Sequence, residues 1–456
     1  MSLLETAKKA VEEATKKGAY QAEVTAFQIR EALTRFSKNV IHTNVVSDDY
    51  GVGVKVVVDK NKIGMTSVDS LEMASITGGV EKAIKMAKVS KPDPAFVTLP
   101  EARPIAPLKG LYFKETAEYE PEKVAADVKT LVETALDYNK NVKWSAGSFT
   151  ITSTRYCVAN SLGVGALTEN TNAQYDVITR AQSTGGEGSG YGVIRSRNVK
   201  DLDPKNLALS AAKDAVESMN PKQIPLGEYE AIFRPEAVLT LVGFLSRLGY
   251  SGTVYEQGQS FLRGKLGTQL FDEKLTILDN GRDLATLSPS AFDGEGVPKK
   301  ALMLVNNGVP ENVCYDTYTA LKSKTLSTGH AIPKIGRGFF FDMAIPMNQL
   351  ISPGVATMDE LIEDTKKGVI VTRLHYVNPT KPDAGIISGM TSDGMWFVEN
   401  GEIKHPVLTM RFTDSVLRSF GSIDALGDKS TTRQMPGLTA PAVKTRQFRF
   451  TGHTEF

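Results

Sequence analysis

Cysteine is scarce in this sequence, and its scarcity limits the redox and metal chemistry that the chain can support. Only Cys157 and Cys314 occur among 456 residues, and they form no Cys-x-x-Cys pair. A disulfide framework and a structural zinc site built from thiolates therefore have no support, and a cytoplasmic location is expected. Both thiols are interpreted as packing residues, because Cys157 lies in a strand-like pattern and Cys314 lies near a turn.

Histidine is also rare, and no two histidines are three or four residues apart, so no helix can present two imidazoles to one metal ion. A zinc site assembled from distant positions remains an alternative. The five histidines are His42, His330, His375, His405 and His453.

The chain has no excess of charge of either sign and no long apolar run. Lys and Arg number 53 against 52 Asp and Glu, so nucleic acid is not an expected partner. No segment reaches the roughly 18 apolar residues of a membrane-spanning helix, and no export signal precedes the first helical pattern. Phosphate-loop and nucleophile-elbow motifs are absent too. Gly51-x-Gly53 lies inside a strand pattern and opens no helix, so it does not fit a dinucleotide-binding turn.

What is present is typical of a globular α+β protein. Helices are predicted at Ser2–Lys17, Leu71–Lys88, Pro121–Tyr138 and Pro204–Ser218, where apolar residues recur at helical spacing. Alternating residues and turn signals between Gln21 and Val68 predict an antiparallel meander of four or five strands. The proline-rich segment 89–107 is interpreted as an extended linker.

The peptide that begins at Pro221 indicates a boundary between two halves, because prolines and a glycine flank a change from helix to strand. We predict an N-terminal α/β meander domain at 1–222 and a C-terminal domain rich in antiparallel sheet at 223–456. In the second half, the apolar segment Pro235–Leu248 predicts a buried helix. Three Asn-Gly pairs there indicate hairpins.

Several motifs of the sequence occur in the order that is typical of one family. The first half contains GAYQAEVTAFQ, GVGVKVVVDKNKIGMTSV and YCVANSLGV. The second half contains GQSFLRGKLGTQLFDEKLTILDNG, FDGEGVPKKALMLVNNG, STGHAIP and GVIVTRLHYVNPTKPDAGIISGMTSDGMWFVENGEIKHPV. By this series, which extends over nearly the whole length, the chain resembles the TldD/PmbA (TldE) family and its PmbA/TldE branch.

The resemblance implies where a catalytic zinc ion would lie in the active, TldD-type subunits. There, a His-Glu-x-x-x-His helix holds the metal, and a cysteine late in the chain supplies a further ligand. The counterpart of that helix here, Leu241–Gly249, reads LVGFLSRLG and contains neither histidine nor glutamate. The corresponding tail, DALGDKSTTRQMPG, contains no cysteine.

These absences lead to the hypothesis of a PmbA/TldE-type subunit with no catalytic or metal-binding residues and no cofactor of its own. Zinc is expected in a TldD-type partner, with which the chain would form a heterodimeric metallopeptidase acting on peptides or unfolded segments. The resemblance places two loops near the substrate cavity, and their candidate lining residues are Thr328, Gly329, His330, Asn378 and Pro379.

Two alternatives stay open from the sequence. The chain could be a peptide-binding scaffold that pairs with itself as a homodimer. It could also be a peptidase with a relocated metal site built from His330 and His375.

Overall fold

The computed structural model describes residues 2–335, 342–433 and 437–454. The first half of the chain contains five helices and six strands in these residues: α1 (Leu3–Lys16), β1 (Gln21–Ser37), β2 (Val40–Val58), β3 (Lys62–Val68), α2 (Met73–Val89), α3 (Lys114–Ala117), α4 (Pro121–Tyr138), β4 (Val142–Asn160), β5 (Gly165–Ser183), β6 (Gly186–Ser196) and α5 (Pro204–Glu217).

Local sequence signals account for the starts of these helices. The Ser2 hydroxyl accepts a hydrogen bond from the Glu5 amide, and the Glu5 carboxylate accepts one from the Ser2 amide, which together form a capping box. Proline occupies the first turn of both α4 and α5, where its missing N–H leaves no helical hydrogen bond unmade. The four longer helices therefore begin and end within two residues of their predicted positions.

The six strands form one antiparallel sheet in the order β3-β2-β1-β4-β5-β6. The four or five strands expected between Gln21 and Val68 are three longer ones, so that count is wrong. The acidic pair Asp48-Asp49 lies inside β2, where Asp48 is opposite Arg30 and forms an ion pair of 3.3 Å with it.

The two faces of this sheet have different neighbours, because successive side chains of a strand point to opposite faces. Val24 and Ala26 pack against α1 and α2, and Phe149 packs against α4 and α5. Phe27 and Tyr156 point to the other face, where they pack with Phe292 from the second half. One face is thus covered by helices and the other by the second half of the chain.

The second half adds five helices and eleven strands in the described residues: β7 (Gly227–Phe233), α6 (Pro235–Leu245), α7 (Gly252–Glu256), β8 (Ile277–Asn280), β9 (Ala301–Asn306), β10 (Val309–Pro310), α8 (Thr317–Lys322), β11 (Asn348–Ile351), α9 (Met358–Glu363), β12 (Lys367–Lys381), β13 (Ile386–Glu399), β14 (Glu402–Pro406), β15 (Met410–Ser415), α10 (Val416–Gly421), β16 (Ile423–Arg433) and β17 (Gly437–His453).

Five of these strands form a closed ring. The pairing runs from β7 through β12, β13, β15 and β17 and returns to β7, where Val443 lies opposite Phe233. Most neighbours in the eleven-stranded sheet are antiparallel, and the β7–β12 and β11–β17 pairs are parallel. The α+β class predicted from the sequence is therefore confirmed.

Not every Asn-Gly pair of the second half forms a hairpin turn. Asn307-Gly308 joins β9 to β10, and Asn400-Gly401 joins β13 to β14, with positive φ at both residues of each turn. The third pair begins at Asn280, where β8 ends, but it forms no tight hairpin, because residues 281–300 lie between β8 and its partner β9. Two of the three local signals thus mark hairpins.

The two sheets share no strand among the described residues, and the segment between α5 and β7 joins them. The boundary predicted between residues 222 and 223 lies in that segment and stays a prediction. None of the helices in the described ranges has both the length and the apolar character needed to cross a membrane.

Candidate functional site

Helix α6 is buried, and it carries the first part of Leu241–Gly249, the segment that the resemblance implies as the counterpart of the zinc-holding helix. Its side chains at Val238, Leu241 and Leu245 are at most 2% exposed and belong to the core of the second half. After Leu245 the chain continues as one wide π-helical turn, Ser246–Tyr250. The predicted burial of this helix against a sheet is seen directly, because α6 lies against the strands of the closed ring.

Two polar residues of this segment, Ser246 and Glu236, make contacts within the fold. The Ser246 hydroxyl contacts the Val242 carbonyl oxygen at 2.7 Å and the Gln349 side-chain oxygen at 2.8 Å. The single acidic residue of α6, Glu236, lies in its first turn and pairs with Arg195 of the first half at 3.0 Å. Zinc needs imidazole, thiolate or carboxylate ligands, so the residues present on α6 do not fit a zinc ion.

No group of three or more His, Cys, Asp or Glu side chains suited to a metal ion occurs within 2–335, 342–433 and 437–454. Both cysteines are buried, and burial raises the pKa of the Cys157 thiol to about 12. Part of the late tail named above, residues 434–436, lies outside the described residues.

His330 is buried and hydrogen-bonded at both ring nitrogens. Its Nε2 lies 3.1 Å from Asp279 Oδ1, and its Nδ1 lies 2.9 Å from the Thr328 carbonyl oxygen. Burial alone would raise the pKa of the Asp279 carboxyl, but His330, Lys299 and the Asn348 amide hold this pKa below its ordinary value. His330 is 1% exposed. Its imidazole is therefore positioned to hold this segment in place.

Thr328 and Gly329, the candidate residues next to His330, are also closely packed. Thr328 exchanges backbone and side-chain hydrogen bonds with Tyr315. Gly329 has a φ of +76°, and a Cβ there would lie 2.7 Å from the Pro298 carbonyl oxygen. A larger residue at position 329 would therefore distort this segment.

Asn378 and Pro379 lie in a different element, the far part of β12, where they pair with Ser388 and Ile387 of β13. Asn378 is exposed, and its side-chain amide donates to the Tyr376 carbonyl oxygen at 3.2 Å. The structure thus gives the two predicted loops different partners and different exposure. Their shared role in lining a substrate cavity stays a prediction.

A cleft of about 660 Å³ lies between residues of the two halves and was not predicted from the sequence. It is lined by the glycine-rich segment 185–188 and by Arg180, His375, Tyr376 and Asp393. Asp393 is held by an ion pair with Arg373 and by the Ser189 hydroxyl, which donates to it at 2.6 Å. Polar side chains, glycine backbone and the apolar residues Met390, Val407 and Leu408 line this cleft, a mixture that suits the binding of an extended chain.

A buried ionic network is the second feature that the sequence analysis missed. Lys334 Nζ lies 2.8 Å from Glu23 Oε1 and 2.9 Å from Asp342 Oδ1, and Lys55 Nζ lies 2.6 Å from Asp342 Oδ2. Glu23 and Lys55 are opposite each other on β1 and β2, so two charged side chains of the first sheet contact the second half. The signal in the sequence is Lys55 itself, a charge in the middle of a valine-rich strand.

Two further carboxyls are buried beside this network. Asp293 accepts hydrogen bonds from the amides of Glu295, Val297 and Ala331, and burial raises its pKa to about 6. Burial and the negative charges of Asp293 and Glu23 raise the pKa of Glu295 to about 8. Removing one partner from such a network leaves an unpaired buried charge. Since the partners come from both halves, the network favours one arrangement of the halves relative to each other.

Comparison with known proteins gives a consistent result over both halves. Residues 22–87 match the family described as PmbA/TldA metallopeptidase domain 1, and residues 226–452 match the PmbA/TldA metallopeptidase C-terminal domain. An uncharacterized protein of Methanocaldococcus jannaschii is 25% identical over 429 residues, covering 94% of this chain and 95% of that protein. Metalloprotease PmbA of Escherichia coli O157:H7 is 24% identical over 395 residues, covering 85% of this chain and 83% of that protein.

The fold is also that of a solved structure. TldE from Thermococcus kodakarensis superposes with a TM-score of 0.89 at 21% identity, covering 98% of this chain and 100% of that one. At this level of identity, the likeness shows the arrangement of helices and strands.

Proposed function

Because the chain belongs to the TldD/PmbA family of metallopeptidase-like proteins, we propose that it is the subunit of a two-chain zinc peptidase that does not hold the metal. In this proposal a TldD-type partner supplies the zinc, and the pair cleaves peptides or unfolded segments in the cytoplasm.

One observation carries the proposal: α6 presents aliphatic side chains where a catalytic subunit needs metal ligands. Leu241 and Leu245 are buried in the core of the second half, so they have no free space towards a substrate. A zinc-activated water requires ligands that fix the ion and usually a carboxylate that accepts the proton. Glu236, the one carboxylate of α6, is paired with Arg195, and the helix carries no histidine or cysteine, which supports a cleavage step on another chain.

The part assigned to this subunit is to hold the substrate. Main-chain pairing with an extended peptide depends little on the peptide's sequence, as degradation of varied segments requires. Asn378 is exposed and can reach a peptide, whereas buried His330 would act as a positioning residue through Asp279 and Thr328. Thr328, Gly329 and Pro379 complete the proposed lining.

The test compares this chain alone, a TldD-type relative from the same genome alone, and the two together. Each sample is assayed for cleavage of an unstructured fluorogenic peptide, and its zinc content is measured after dialysis. We expect activity from the pair and far less than one equivalent of zinc in this chain alone. A matched control replaces the first histidine of the relative's zinc motif by alanine, which should abolish the activity of the pair.

The same measurements distinguish the alternatives. Peptide binding by this chain without cleavage in any combination would favour a scaffold. Stoichiometric zinc in the isolated chain would favour a relocated metal site and contradict the proposal. Such a site would have to displace Asp279 from Nε2 of His330, while His375 lies exposed on β12.

A further inference from the structure

Arg180 is an arginine of β5 whose side chain lines the cleft between the two halves. It is partly buried, and its guanidinium makes no ion pair, hydrogen bond or ring contact with another residue that the structure describes. Arg195, on the neighbouring strand β6, is by contrast paired with Glu236. The five N–H donors of Arg180 are therefore available to a ligand in the cleft.

The register of the first sheet directs this side chain towards the second half. Arg180 is opposite Ser189 of β6, and directly opposed side chains of a strand pair lie on the same face. The Ser189 hydroxyl donates to Asp393 of the second half at 2.6 Å. Gly188 and Gly190, on either side of Ser189, lie against the backbone of α5 on the opposite face. Arg180 thus projects from the face that meets the second half.

The charges around Arg180 favour one negative group as its ligand. Within the described residues, Arg180 is the only lysine or arginine in the lining of the cleft. Of the two acidic residues in this lining, Asp393 is already held by Arg373 and by Ser189. The other, Glu187, is exposed, and no ion pair between described residues includes it. A single guanidinium presents a planar fork of donors that matches one carboxylate.

The backbone beside Arg180 suits the end of a peptide better than its middle. Strand β6 is the last strand of its sheet among the described residues, so one of its edges has no partner strand. Ser218 closes this edge at Ser189, because its hydroxyl accepts from the Ser189 amide and donates to the Ser189 carbonyl oxygen, both at 2.9 Å. The free edge that lines the cleft is therefore the short segment 186–188, which can hold only the last residues of an extended chain.

We propose that Arg180 binds a carboxylate of the peptide substrate, and that the short free edge favours the carboxylate of the C-terminal residue. This inference rests on the proposed function, because it takes a peptide as the ligand. The side chain of the terminal residue lies against the apolar part of the lining, which consists of Met390, Val407 and Leu408. Arg180 then selects which end of the peptide enters the cleft.

Peptide binding by this chain alone tests the assignment, with fluorescence anisotropy of a dye at the amino end of each peptide. Three peptides share one sequence without acidic side chains and end in leucine. The first is the free acid, the second is the C-terminal amide, and the third is an amide with glutamate before the leucine. We expect the free acid to bind about tenfold or more tightly than the simple amide, because it hydrogen-bonds a charged group. Arg180→Gln should remove this difference.

Arg35→Gln is the matched control, because Arg35 is exposed on β1 of the same sheet and is not part of the cleft lining. It removes the same charge and should leave the preference for the free acid unchanged. Glu187→Gln should strengthen binding of the free acid several-fold, because it removes a negative charge from the same cleft. Arg180→Gln should melt at the temperature of the parent, since Arg180 has no partner to lose among the described residues.

The outcomes are distinct. A preference for the free acid that Arg180→Gln removes supports the C-terminal carboxylate, and Arg180-dependent binding of the glutamate peptide alone assigns the carboxylate to a side chain. Equal affinity for all three peptides, a preference that survives Arg180→Gln, or no binding of any peptide overturns the proposal. Cleavage by the reconstituted pair is measured separately with the parent chain, so loss of this proposal leaves the division of labour between the subunits untouched.

Discussion

Leu245→Ala should destabilise the second half of the protein strongly, because Leu245 lies at the end of α6 with no exposed surface. The change removes three carbon atoms from a packed site and leaves a cavity that the closed ring of strands cannot readily fill. Substitutions of this kind lower the free energy of unfolding by about 2–5 kcal/mol. Leu245→Asp should cost more than about 4 kcal/mol, because a carboxyl would enter the same core without a partner.

Fluorescence of Trp396 can follow this unfolding in urea. Trp396 is a buried residue of β13, and the guanidinium carbon of Arg234, which precedes α6, lies 4.6 Å from its ring centroid. The other tryptophan, Trp144, lies in β4 of the first sheet, so a Trp144→Phe background isolates the signal of the second half. At a slope of about 2–3 kcal/mol per molar urea, Leu245→Ala should lower the midpoint by about 1–2 M.

Arg247→Ala is the control in the same segment, because Arg247 is exposed and should shift the midpoint little. If Leu245→Asp unfolds at the midpoint of the parent, α6 is not a core helix. The assignment of α6 to packing, on which the proposed function rests, would then be refuted.

Three further predictions concern catalysis and pH. The double variant Leu241→His/Leu245→His should still lack peptidase activity when assayed without a partner, because a third ligand and a general base are missing, and robust cleavage would contradict the division of labour. In the reconstituted pair, Asn378→Ala should reduce cleavage with assembly intact and His330→Ala should reduce it with a loss of thermal stability, whereas unchanged cleavage in both would remove these loops from the proposed lining. The pKa of Glu295 is raised by burial from its ordinary 4.5 to about 8, so the folded state binds more protons than the unfolded state between these values, and stability should fall as the pH rises through this window. Glu295→Gln should flatten this dependence in urea titrations at several pH values, and a slope equal to that of the parent would show that Glu295 is not its source.

Features that depend on nearby residues were predictable from the sequence. Helix α4 has the predicted bounds because Pro121 fixes its first turn and apolar residues follow at helical spacing. The glycines of β6 have a role that the adjacent residues do not indicate. A Cβ on Gly190 would lie 2.0 Å from the Ala211 carbonyl oxygen, so glycine allows α5 to pack closely on β6.

Features that depend on distant residues were not predictable from local patterns. Lys334 and Glu23 are 311 positions apart in the chain, and neither residue indicates its partner by periodicity. The cleft has the same origin, because its lining comes from β6 of one sheet and from β12 and β13 of the other. The lack of histidine and glutamate in Leu241–Gly249 can be read from the sequence alone, because it depends only on which residues occupy one segment.

The ring closure between β7 and β17 sets an order for folding during synthesis. Gly227 pairs with Phe450, and Phe233 pairs with Val443. Strand β7 therefore cannot complete its pairing until β17, which is synthesised much later, has left the ribosome. The six strands of the first sheet are all translated before β7 and can pair while the ribosome continues. Until β17 emerges, β7 and the apolar helix α6 lack part of their core, and this interval is when the nascent chain is most exposed to chaperones and to aggregation.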